Sequence, residues 1–300
     1  MGIAVLSYEE KESKKKIAEK YIAENKPLHA IQIYSYLLSE TDDPEYKFLL
    51  AEIYRDMGYI SAYEKYLMAF LDDFPDDDEI RFEISTFLME YESWENIINV
   101  LSVADTTKRP EFNFMIGYAY YKLNDFKLAR HHLELYLNSS QKIELKFDCL
   151  FYLGLIDIKE GKYDEAIKKL KETEFHFNSH SEFYYHLANA YRLSGMFTHA
   201  SLYIVKSIRL NKRNAKSYIE AAKIYNALEQ FEKAEKHLRK YSELENNNSS
   251  EYNLTLAETY IGLKKFDQAQ ACLSIVEEDE PDNSELTALK NKLSKLSKAQ

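Results

Sequence analysis

Two histidines four residues apart, His176 and His180, have the spacing at which a helix offers two imidazoles to one metal ion. No third ligand accompanies them, and the residues around them read as a helix end and a turn. His131 and His132 are adjacent, so they point to different sides of any helix. The acidic run Asp72, Asp73, Asp76, Asp77, Asp78 and Glu79 surrounds Pro75 but lacks calcium-loop spacing. It reads as a solvated turn whose carboxylates cap the next helix. The 2 cysteines, Cys149 and Cys272, are too few for a disulfide framework and lack metal-ligand spacing. Cys149 has no identifiable activating base, so it reads as a buried structural thiol. The turn Asn246–Ser250 contains glycosylation-like triplets, which have no use in a reducing compartment. There is no phosphate-cradling glycine loop and no nucleophile elbow. The expectation is a non-enzymatic protein with no catalytic residue, no metal and no cofactor.

The elements that carry these residues are helices. Seven Gly and five Pro in 300 residues leave few turn-makers for a fold of many short strands. The 45% hydrophobic content can bury a sizeable core, and no apolar run approaches the ~18 residues of a membrane span. Residues 1–110 hold 12 Lys and Arg against 23 Asp and Glu, whereas residues 111–300 hold 27 of each. An acidic half of this size argues against nucleic acid as the main ligand. Lys outnumbers Arg 31 to 8, an imbalance that fits an AT-rich, bacterial coding genome. Met1–Leu6 is too short for a signal-peptide apolar region, and a charged segment follows it. The cytoplasm is the expected compartment; a periplasmic or membrane-anchored location would require an N-terminal signal that had been removed.

Self-similarity sets the architecture. A small residue recurs as an anchor at Ala18, Ala51, Ser85, Gly117, Gly154, Ala188, Ala222 and Ala257, at intervals of 32 to 37 residues. The residue before each anchor is apolar: Ile17, Leu50, Ile84, Ile116, Leu153, Leu187, Ala221 and Leu256. Three residues after come Tyr21, Tyr54, Leu88, Tyr120, Asp157, Tyr191, Tyr225 and Tyr260. At +9, +12 and +16 apolar or small residues recur again, as in Phe197, Ala200 and Ile204. Offsets −1 and +3 share one face of a first helix, and +9, +12 and +16 share one face of a second. At +7 stand Asn25, Gly58, Asn124, Gly161 and Gly195, residue types that accept the left-handed backbone of a helix C-cap. Pro75 and Pro281 end second helices, Pro44 and Pro110 open first helices, and Asp43 is a candidate N-cap.

These registers resemble those of tetratricopeptide-repeat proteins. The likeness is carried best by Leu153-Gly154 with Gly161-Lys162-Tyr163-Asp164-Glu165-Ala166, and by Leu187-Ala188-Asn189-Ala190-Tyr191 with Gly195, Phe197 and Ala200. It covers residues 11–282. The aromatic that the family often carries four residues before the anchor is replaced by Lys14, Lys47, Arg81 and Asn113 in the first four copies. Asp157 replaces a packing Tyr, and Tyr63 and Ile97 replace a small residue at +12. Extra residues after Gly117 are expected to lengthen the turn near 138–142.

The resemblance implies an all-α, right-handed superhelical solenoid of about eight helix-turn-helix repeats with a C-terminal capping helix. The expected division is an N-terminal tail at 1–10, a repeat array at 11–282 and an amphipathic cap at 283–300. In the cap Leu286, Leu289, Leu293 and Leu296 form one stripe among Lys290, Lys292, Lys295 and Lys298.

The resemblance also implies that first helices line a concave groove where ligands lie. Offsets −3, +1 and +4 fall on the exposed side of each first helix. The −3 register holds Phe48, Phe82, Phe114, Phe151 and Tyr185 in succession. Met115, Tyr118 and Tyr121 join it in copy four, Tyr152 in copy five, and His186, Asn189 and Arg192 in copy six. Aromatic anchors dominate interface energetics, so a protein or peptide partner gripped by copies four to six is the expected function. The same aromatics would serve equally as packing between copies. The chaperone-binding carboxylate clamp of some family members is not matched: Tyr185, Glu220, Glu251 and Thr255 stand where its Lys, Asn and further donors belong. Two other roles compete with a scaffold, a peptide-sensing signalling receptor and an assembly factor anchored at a membrane.

Overall fold

The small anchors work by letting two helices close on each other. A Cβ added at Gly154 would stand 3.0 Å from Leu170 Cγ on the following helix. The computed structural model describes residues 6–139, 144–245 and 249–298, all of whose regular elements are α-helices. Much of the expected tail and parts of the turns near 138–142 and 246–250 lie outside the described residues. The chain is an all-α helical-repeat solenoid in two compact units that divide between His132 and Leu133.

The first unit contains α1 (Tyr8–Ala23), α2 (Pro27–Thr41), α3 (Pro44–Asp56), α4 (Ile60–Asp73), α5 (Asp78–Glu90), α6 (Trp94–Leu101), α7 (Glu111–Lys122) and the start of α8 (Phe126–Asn138). Helix α1 begins at Tyr8, inside the stretch read as a tail, because Ser7 and Glu10 form a reciprocal capping box. Asp43 caps α3, and Asp77 from the acidic run caps α5 through the Glu79 and Ile80 amides at 3.0 and 3.1 Å. Tyr34, Leu37, Tyr46 and Leu50 are the large side chains of the core shared by α1, α2 and α3.

The four polar residues that replace the family's aromatic each reach the second helix of their own copy. Lys14 lies over the Tyr36 ring, Lys47 pairs with Asp73 at 2.8 Å, Arg81 bonds Val100 O at 2.6 Å, and Asn113 Oδ1 meets His132 Nδ1 at 3.0 Å. Polar tethers thus stand in for an aromatic plug.

The second unit holds the rest of α8 with α9 (Lys146–Lys159), α10 (Tyr163–Thr173), α11 (Ser181–Leu193), α12 (Phe197–Leu210), α13 (Ala215–Ala227), α14 (Phe231–Ser242), α15 (Ser250–Gly262), α16 (Phe266–Asp279) and α17 (Ser284–Ser297). Its core runs through Leu170, Phe183, Leu187 and Ile204. Further along, Ile261, Leu273 and Val276 pack with Leu286, Leu289 and Leu293 of α17. Leu296, the fourth of that stripe, stays exposed.

Two registers hold in every copy. All eight second helices start on the +9 residue, and all eight +7 residues have positive φ between 55° and 79°. Three of the latter, Glu92, Glu229 and Lys264, are types that avoid this region, so tertiary packing sets the turn.

Candidate partner-binding site

In the second unit the first helices α11, α13 and α15 are linked by a ladder of polar side chains. Arg192 Nε reaches Glu220 Oε1 at 2.7 Å, and Asn189 Nδ2 reaches the same oxygen at 3.2 Å. Lys223 Nζ pairs with Glu251 at 2.6 Å. Asn226 donates to Thr255 O at 3.1 Å and to Glu258 at 3.3 Å, and it accepts from Thr259 Oγ1 at 3.0 Å. Glu220 is only 3% exposed, so its carboxylate is desolvated and its two donors are its compensation. Burial pushes the Tyr185 hydroxyl up to about 12, with Glu220 and Glu251 adding to the effect.

Beside this ladder lies a cavity of about 430 Å3 lined by Arg192, Leu193, Phe197, Lys223, Ala227, Thr255, Glu258 and Glu285. A second depression of about 270 Å3 shares Lys223, Thr255 and Glu285 with it. Successive first helices therefore present one polar, preformed trough that ends at the start of α17. Glu220, Glu251 and Thr255 occupy positions where a carboxylate clamp would place donors. Glu220 and Glu251 place carboxylates there instead, and these take up Arg192 and Lys223.

The aromatic −3 register is distributed differently from a solvated stripe. Phe48 is 40% exposed, Phe82, Phe151 and Tyr185 are half-buried, and Phe114 at 8% is buried. Met115 is buried as well, which leaves Tyr118 and Tyr121 as the half-buried residues of copy four. Phe114 and Tyr118 stack with ring centroids 6.3 Å apart, and Lys122 lies over both Tyr118 and Trp94. In the second unit Phe151 lies 5.2 Å from Phe177, 6.0 Å from His186 and 5.4 Å from Tyr152. These rings pack on one another while keeping an accessible edge. Asn189 and Arg192, read from sequence as donors to a ligand, are engaged by Glu220.

The other candidates resolve into packing. His176 stacks on Phe147 at 5.2 Å and His180 meets Phe177 edge-on at 5.7 Å, both in the turn between α10 and α11. Among the described residues no group of three or more His, Cys, Asp and Glu is placed to hold a metal ion. Cys149 is buried with Sγ 3.8 Å from Leu133 O, and burial raises its pKa well above the ordinary thiol value.

A tetratricopeptide-repeat model matches residues 110–142, 181–214 and 215–248, and a second model of the same repeat matches residues 244–293. These spans coincide with copies four, six, seven and eight plus α17. The chain is a tetratricopeptide-repeat protein. Among solved structures, Pseudomonas aeruginosa pilF aligns over 71% of this chain and 96% of its own, at 14% identity and a TM-score of 0.56. MamA of Desulfovibrio magneticus RS-1, from residue 41 onward, covers 56% of this chain and 96% of its own at 19% identity and a TM-score of 0.50. Both similarities concern the fold. No curated protein matches the sequence. A tetratricopeptide-repeat protein is a protein–protein interaction scaffold, and its repeats are in general non-catalytic modules. No helix among the described residues is long and apolar enough to cross a membrane.

Proposed function

We propose that this scaffold is an adaptor that seats a segment of a partner protein on its first-helix faces. The observation that carries this reading is the trough over α11, α13 and α15. Three consecutive first helices line it, and its Arg192, Lys223 and Glu258 side chains are held by partners within the chain, so it exists before any ligand arrives. A seat of that kind loses little side-chain entropy on binding. In the second unit Phe151, Tyr152, Tyr185 and His186 on α9 and α11 are half-buried aromatics that offer further anchors; within the first unit Phe82, Tyr118 and Tyr121 are half-buried and Phe48 is exposed. Asn189 and Arg192 hold the trough wall through Glu220.

Ala227 is exposed on the cavity lining, so Ala227→Trp fills the seat without touching the core. Partner capture by wild type and by this variant is the test, after circular dichroism shows equal helicity. Loss of a partner with Ala227→Trp supports the seat; full retention of every partner removes it. Tyr152→Ala examines the flanking aromatic edge in the same assay. Phe114→Ala is a poor probe, because it opens a hole in the core.

A further inference from the structure

The first unit has a pocket of a different kind. A cavity of about 240 Å3 opens between α3, α4 and α5, smaller than the ~300–1,000 Å3 of ordinary small-molecule sites. Its walls are the rings of Phe48, Phe70 and Phe87, and its rim carries Glu52, Glu83 and Arg55. Arg55 is committed to Glu52 at 2.6 Å and to Asp56 at 3.2 Å. Glu83 is exposed and has no ion-pair or hydrogen-bond partner among the described residues.

The surroundings reinforce the negative rim. Residues 43–102, the second and third copies, hold four Lys and Arg against fifteen Asp and Glu. This segment alone accounts for the acidity of the N-terminal third. Three of its four cations are occupied: Lys47 by Asp73, Arg55 as above, and Arg81 by backbone carbonyls inside the core. Carboxylates of this segment also take cations from outside it, Glu45 from Lys15, Glu79 from Arg109 and Glu92 from Lys122, but the excess of acid still leaves the potential over the cavity negative.

An aromatic-walled hole with carboxylates at its mouth matches the anatomy of a long basic side chain. The methylene stem of Lys or Arg packs on apolar walls while its charged head stays at the rim. The ring faces of Phe48 and Phe87 add attraction for the same cation. We propose that this cavity receives a Lys or Arg side chain from a basic, apolar-flanked segment of a partner protein. The proposal rests on the scaffold reading and adds to it the charge class of the partner.

The probe is a fluorescein-labelled peptide that repeats Leu-Arg, with a Leu-Glu peptide of equal length as its counterpart. Fluorescence anisotropy reads binding, and circular dichroism melts confirm that each variant is folded. Wild type is expected to bind the basic peptide and to lose affinity as salt is raised. The double variant Glu52→Gln/Glu83→Gln, and separately Phe48→Ala, should each weaken binding roughly tenfold. Asp72→Asn/Asp76→Asn removes equal charge outside the cavity and should change binding less than about twofold. Equal weakening by that control pair overturns the pocket in favour of diffuse acidity. Equal binding of the Leu-Glu peptide, or none of the Leu-Arg peptide, overturns the proposal outright. Ala227→Trp lies in the other unit and leaves this measurement unchanged, so the trough and the pocket fail separately.

Discussion

Arg81 Nη1 donates to the carbonyl oxygen of Val100 at 2.6 Å, tying α5 to the last turn of the short helix α6. The last carbonyls of a helix have no partner within it, and α6 has only 8 residues over which to spread that cost. A second nitrogen of the same guanidinium bonds Pro75 O, so one buried side chain satisfies two backbone acceptors. Arg81→Met should keep the volume, strand both carbonyls and destabilise the first unit by ~1–3 kcal/mol. Arg81→Lys, which cannot span both acceptors, should fall between. Thermal unfolding followed by circular dichroism measures the order; equal stability of Met and Arg at this position would refute the capping role.

Asp157 gives the second prediction. It is 1% exposed at a position where most copies carry Tyr, and Lys169 reaches it from α10 at 2.5 Å. Removing one partner of a buried pair leaves a desolvated charge behind. Lys169→Met should therefore cost ~2–4 kcal/mol, while adding Asp157→Tyr to that variant should recover most of the loss. A double-mutant cycle from denaturant midpoints decides the matter, and additive single effects would count against the pair.

The repeat period and the buried anchor, +12 and +16 registers were legible because they depend on periodic side-chain size alone, whereas Ile17 of the −1 register is exposed. The groove chemistry was less so. Offsets −3, +1 and +4 identify side chains that leave the intrahelical packing face, but whether they meet water depends on the neighbouring copy. Phe114 and Met115 are covered, whereas Phe48 in the same register stays open. Asn189 and Arg192 looked like free donors because Glu220 lies 31 and 28 residues away, a pairing that exists only after copies stack. Arg81 looked like a defect in the repeat for the same reason. Its acceptors are backbone atoms, which carry no residue signature.

Acid should reveal His237. Its ring stacks on Tyr225 at 5.3 Å, and burial, with Lys236 second, brings its pKa down to about 4. An unfolded histidine titrates near ~6.5, so on acidification the unfolded chain takes up this proton first. The contribution is intact above about pH 6.5, erodes as pH falls toward 4 and levels off below it, up to roughly 3 kcal/mol. His237→Gln should flatten that part of the pH–stability curve while leaving the carboxylate-driven part in place. Identical curves for the two proteins between pH 6.5 and 4 would show that the ring is protonated without penalty.

The left-handed +7 register supplies the last prediction. Glu229 has φ 56° and Lys264 φ 60°, matching Gly161 and Gly195 at 76° and 79° in their own copies. A Cβ in that region strains against the backbone at ~1–2 kcal/mol per residue, whereas glycine is free of it. Glycine also loses more entropy on folding, which offsets part of the gain. Glu229→Gly and Lys264→Gly should each stabilise the second unit by ~0.5–1 kcal/mol. Asn25→Gly should do less, because Asn already tolerates this conformation. Denaturant midpoints for the three variants give the comparison. Destabilisation by Glu229→Gly would mean that its side chain, and not the turn, holds α13 to α14.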